Sequence, residues 1–136
     1  EGLFEAALDK DVAGIQAIKD EAVPGNIYQA VDLLLKEYKF TGDAAIRTLA
    51  LENELPIAGR ILDVGRKMHT QWCERVFAKY LPSKKSKKYS TSVGAFYAAT
   101  DVYNWKLLKH DLKFSNEEIR EILINTLQGL IQQKNK

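Results

Sequence analysis

The sequence predicts an all-α domain of about six helices, and three observations carry that expectation. Apolar residues recur at intervals of three and four in each long segment, no segment sustains two-residue alternation, and Pro, Gly and helix-capping residues divide the chain into pieces of helical length. With 136 residues, 46% of them apolar, the chain has the material for one domain, 1–136, around one core.

The first helix is expected over 3–22, where Phe4, Leu8, Val12, Ile15 and Ile18 fall on one face. Val23-Pro24-Gly25-Asn26 breaks it and offers Asn26 as the next cap. A second helix carries Ile27, Val31, Leu34, Leu35 and Tyr38, and Gly42 in Phe40-Thr41-Gly42-Asp43 is expected to stop it. Asp43 would then cap a short third helix to about Asn53. Leu55-Pro56 marks the next boundary, because the residue before proline avoids the α region while proline suits a first helical turn.

A long fourth helix, Ile57 to Tyr80, has two apolar stripes: Ile57, Ile61, Met68, Trp72 and Val76, beside Leu62, Cys73, Phe77 and Tyr80. Two such faces require two packing neighbours or a cavity. Lys84-Lys85-Ser86-Lys87-Lys88 is a like-charged run that reads as a solvated loop, with contact to DNA phosphate as the sharper alternative. The fifth helix is expected over Ser90–Leu112. The last begins at Ser115-Asn116-Glu117-Glu118, a capping box with Phe114 placed to staple onto Ile119, and its stripe runs Ile119, Ile122, Leu123, Thr126, Leu127, Leu130, Ile131 before a polar tail over 132–136.

Composition excludes several classes. A net charge of +2 with both signs interspersed is too small a footprint for an autonomous nucleic-acid binder. One cysteine, Cys73, allows no internal disulfide and points to a reducing compartment, the cytosol. Neither a signal peptide nor a membrane span is read from the sequence. The two histidines, His69 and His110, stand in no metal-binding spacing, and neither GxSxG nor a phosphate-cradling glycine loop occurs, so no metal, cofactor or enzymatic activity is expected.

Two segments carry a family resemblance. Glu1-Gly2-Leu3-Phe4-Glu5-Ala6-Ala7-Leu8-Asp9 resembles the segment that follows directly on the helix-turn-helix in TetR-family transcriptional repressors. Ala98-Ala99-Thr100-Asp101-Val102-Tyr103-Asn104-Trp105-Lys106-Leu107-Leu108, followed by Asp111-Leu112 and Phe114-Ser115, is similar to the penultimate helix and turn of one branch of that family. Residues 23–88 match in helix pattern alone. The resemblance implies a C-terminal ligand-sensing domain whose N-terminal DNA-binding domain is absent from this chain, which starts without methionine. DNA would be met through that missing part alone, and a homodimer would form as a four-helix bundle from the last two helices of each subunit.

Candidate site residues follow. For a small, largely apolar effector they are Tyr28, Leu35, Tyr38, Ile61, Met68, Trp72, Val76, Phe96 and Tyr103, since aromatic and methionine side chains line adaptable pockets. The same stripes also fit ordinary core. Arg66 and His69, one turn apart, are positioned to meet an acid, and Glu52 or Asp63 to offset a lipophilic cation, although all four also fit a solvated face. For the dimer face the candidates are Tyr97, Thr100, Asp101, Asn104, Leu108, Leu123, Leu127, Leu130 and Ile131, because the fifth helix carries more aromatic surface than one small core covers. The alternative is a ligand-free helical interaction module in which these aromatics are core or partner interface. An internal cavity of about 300 Å³ or more separates the two readings.

Overall fold

The computed structural model describes residues 2–134, with the side chains of Ala6 and of residues 9–133. The stripe positions Phe4 and Leu8, the segment Glu1–Asp9 that resembles the TetR family (apart from Ala6 and Asp9) and the end of the polar tail therefore have side chains outside the described residues. The described chain is all helical: α1 (Gly2–Asp20), α2 (Ile27–Ala50), α3 (Pro56–Val76), α4 (Tyr89–Thr100), α5 (Val102–Lys106) and α6 (Asn116–Lys134). A 3₁₀ turn, Ala78–Tyr80, follows α3, and a π-helical turn, Leu107–Asp111, continues α5. No helix among the described residues is long and apolar enough to cross a membrane.

Cap chemistry sets several of these boundaries. Asn26 Oδ1 accepts the Gln29 N–H at 3.1 Å and starts α2. Pro56 occupies the first turn of α3 after an extended Leu55. Ser115 and Glu118 form the reciprocal box, with Glu118 Oε1 accepting from Ser115 N at 2.9 Å and Ser115 Oγ accepting from Glu118 N at 3.2 Å.

Two boundaries differ from the sequence expectation. Gly42 does not end a helix, and α2 runs through it for 24 residues, about 36 Å at 1.5 Å per residue. The glycine is required by packing instead: a Cβ there would stand 2.6 Å from Cζ3 and 2.8 Å from Cη2 of Trp105, so the indole of α5 lies directly on the α2 backbone. Conversely, the helix expected over Ser90–Leu112 is broken at Asp101, whose backbone is extended (φ −76°, ψ 157°) and whose side chain caps α5.

The core sits where α2, α3, α4 and α6 converge. Val31 and Leu34 of α2 meet Trp72, Cys73 and Val76 of α3, Phe96 of α4, and Ile119, Leu123 and Leu127 of α6. Phe77 stacks on Phe96 with ring centroids 4.5 Å apart. The turn between α1 and α2 is fastened to the end of α3: Gly25 N–H donates to the Val76 carbonyl at 2.8 Å, and the Arg75 guanidinium donates to the carbonyls of Lys19 and Ala22, each at 2.7 Å. α2 and α3 thus form an antiparallel hairpin.

Substituting Gly42 by Ala reverses the usual helix-propensity gain. We expect G42A to lose about 1–2 kcal/mol, because overpacking against Trp105 outweighs the helical preference for alanine. Gly59 in α3 has nothing within 4 Å of a built Cβ, so G59A should gain up to about 1 kcal/mol. Paired urea melts of the two variants check the opposite signs.

Candidate ligand-binding site

The α2–α3 hairpin divides along its length. Its closed end, the first half of α2 and the second half of α3, is core. Its open end, the second half of α2 and the first half of α3, encloses with α1 and the α4–α5 junction a cavity of about 600 Å³. Val12 and Ile15 of α1, Ala45 and Leu49 of α2, and Ile61 and Met68 of α3 give it apolar walls. Phe40, Val64 and Tyr103 line it while remaining exposed, Phe40 to 71%, and so mark its open side.

Polar groups gather on the wall facing the core. Lys19 Nζ lies 3.1 Å from Glu37 Oε1, both side chains buried, and 3.2 Å from His69 Nδ1. An ammonium can only donate, so His69 Nδ1 accepts and the ring proton sits on Nε2. That nitrogen donates to Thr100 Oγ1 at 2.9 Å, and Thr100 in turn donates to the Phe96 carbonyl at 2.7 Å. The Tyr38 hydroxyl donates to the Thr100 carbonyl at 2.6 Å. The network spans four helices and each donor direction is fixed by its neighbour. Lys19 Nζ also lies 5.0 Å from the Trp72 ring centroid.

Burial decides the protonation states. It pushes Glu37 above the usual carboxylate range even though Lys19 pulls the other way. It holds His69 well below 6.5, aided by the adjacent Lys19 charge and only partly opposed by the Tyr97 carbonyl. The Cys73 thiol, buried and 3.7 Å from Thr100 Oγ1, is pushed up to about 12 and is inert as a thiolate. At the cavity rim Arg66 makes a bidentate contact with Glu52 at 2.6 and 2.8 Å and reaches Asp63 at 3.4 Å. His69 is therefore buried rather than solvated, and Glu52 and Asp63 are engaged with Arg66.

Of the nine residues predicted for the effector site, Tyr38, Ile61, Met68 and Tyr103 line the cavity. Trp72, Val76 and Phe96 are buried core, since the two apolar character zones of α3 succeed one another along the helix rather than lying side by side. Leu35 packs half-buried against the core, and Tyr28 is 54% exposed, its hydroxyl accepting from Gln128 Nε2 at 3.1 Å.

Of the residues predicted for the dimer face, Leu108, Leu123, Leu127 and Thr100 are corrected to buried positions. Leu108, Leu123 and Leu127 are buried inside the chain, because the α6 stripe faces α2 and α4, and Leu130 and Ile131 pack half-buried on the same core. Thr100 belongs to the buried network, Tyr97 and Asp101 line the cavity, and Asn104 Nδ2 donates to the Ala99 carbonyl at 2.9 Å.

Lys19 and Glu37 were not singled out by the sequence, and Asp101 was singled out for the dimer face alone. A signal existed for the first two: Lys19 falls four residues after Ile15 and Glu37 three after Leu34, so each charge sits on an apolar helix face.

Among the described residues no group of three or more His, Cys, Asp or Glu side chains is arranged to hold a metal ion. Comparison with protein-family models, with curated proteins and with solved structures finds no match.

His69 should remain neutral as the Nε2–H tautomer well below pH 6.5, which ring ¹⁵N shifts report directly. The unfolded chain binds this proton below about pH 6.5 and the folded chain does not, so the His69 contribution lowers stability as pH falls, by up to about 1.4 kcal/mol per pH unit. Glu37 acts in the opposite sense, its raised carboxyl taking a proton in the folded state first as pH falls toward 4.5. Urea melts at pH 7 and pH 5 should accordingly show H69Q losing less stability on acidification than the parent chain.

Proposed function

We propose that this chain is the ligand-sensing domain of a TetR-type transcriptional regulator, a repressor by the commoner habit of that family, which takes a small, largely apolar effector and controls DNA binding allosterically as a homodimer. The observation that carries the reading is the 600 Å³ cavity, twice the lower bound for a small-molecule site, with α1 forming part of its wall. In this reading α1 leads back to the DNA-reading head. Its far end is clamped to α3 through Arg75 and its middle residues Val12 and Ile15 touch the effector, so occupancy resets the angle at which α1 leaves the domain.

Two heads meeting half-sites about 34–36 Å apart are sensitive to such a reset, and coupling free energies of about 1–3 kcal/mol suffice for a regulatory response. Since the α6 stripe is used inside the chain, pairing falls to the outward positions of α4 and α6, where Gly94, Ala98, Asn125 and Gly129 are exposed. The exposed Phe40, Val64 and Tyr103 favour one second reading, an interaction module whose groove takes a partner helix.

Native mass spectrometry under mild desolvation tests both. The sensor reading expects a dimer carrying a small-molecule adduct released on unfolding. A monomer without an adduct at micromolar concentration contradicts it, and a peptide-sized adduct supports the interaction module.

A further inference from the structure

We propose that the cavity selects an amphiphilic organic cation, an ammonium group on an apolar body, with Asp101 as its counter-charge and the rings of Tyr97, Tyr103 and Phe40 around it. This rests on the sensor reading and adds the ligand's chemical class.

The charges on the cavity wall do not balance. Its cations are Lys19 and Arg66, and its carboxylates are Asp11, Glu37 and Asp101. Lys19 is committed to Glu37, and Arg66 to Glu52 and Asp63. An anionic ligand would have to share a cation that already faces a carboxylate. Asp11 is exposed, whereas Asp101 is half-buried at the junction of α4 and α5, and no cationic side chain among the described residues lies within ion-pair distance of it.

Asp101 Oδ2 accepts the Tyr103 N–H at 3.1 Å. Burial raises its carboxyl above the usual range, while the backbone N–H groups of Tyr103 and Val102 and the more distant charges of Arg66 and Lys19 act against this. A carboxylate penalised by burial and lacking a direct cation gains from a ligand that brings one. The neighbouring rings suit the same occupant, since aromatic faces attract ammonium groups and tolerate the methyl groups of a quaternary one. Tyr97 stays a neutral phenol: burial and the Asp101 charge push its hydroxyl up to about 12.

Capping α5 accounts for a polar residue at 101 but not for its charge, because asparagine and serine cap as well as aspartate. D101N therefore separates the two roles. The probes are decyltrimethylammonium, 1-decanol and decanoate, titrated calorimetrically into the full chain at neutral pH below their micellar concentrations. We expect decyltrimethylammonium to bind at least ~10-fold more tightly than decanol, a preference of the order a partly desolvated carboxylate and ring faces supply.

D101N should abolish that preference while decanol still binds, and D101S should do the same, guarding against a failure peculiar to the asparagine side chain. Equal affinities, or a preference that survives both substitutions, overturn the inference and leave the cavity as a neutral sensor site. Decanoate binding most tightly overturns it in favour of Arg66 or Lys19. Binding of none of the three overturns the sensor reading as well.

Discussion

The buried ammonium of Lys19 ties three helices together, and the division between core and cavity depends on it. It arrives from α1, pairs with Glu37 of α2 and donates to His69 of α3, whose opposite ring nitrogen reaches Thr100 at the end of α4. Each member is satisfied by the next, which is the condition under which a buried polar network is tolerated. Removing one partner from such a pair typically costs about 3–5 kcal/mol, because it strands a charge in a low-dielectric site. The network therefore places α1 firmly against the hairpin while leaving the space beyond it unfilled.

That space follows from the lengths of α2 and α3. Both outlast the core they serve: large apolar side chains fill the closed end, and smaller residues such as Ala44, Ala45 and Gly65 line the open end. The helix expected to be two-faced around its circumference is two-natured along its axis. The Asp101 break has a matching consequence. By ending α4 and starting α5 at a new angle, it lets Trp105 pack on Gly42 and on Tyr38, the Tyr38 and Trp105 ring centroids lying 5.7 Å apart, and presents the 101–103 backbone to the cavity.

The helical class and the caps at Asn26, Pro56 and Ser115 were legible in the sequence because they depend on local chemistry. Gly42 misled because a glycine required by a tertiary contact looks the same as one that ends a helix. Asp101 was legible in principle, an N-cap residue followed by a new apolar run, but the continuous aromatic periodicity on either side masked it. For the cavity, Tyr38, Ile61, Met68 and Tyr103 were found from their residue types, whereas Trp72, Val76 and Phe96 have the same types and lie in the core. Periodicity reports which face is apolar and not what lies opposite it. Leu123 and Leu127, expected on the dimer face, are core for that reason: the α6 stripe is real, but its partners are α2 and α4 of the same chain.

Hydrogen exchange of the full chain, with and without saturating decyltrimethylammonium, tests most directly whether cavity occupancy is felt by α1. The account predicts slowed exchange at the amides of 12–19 and of 101–103, with α6 amides unchanged. Protection confined to other helices, with α1 unaffected, would contradict it.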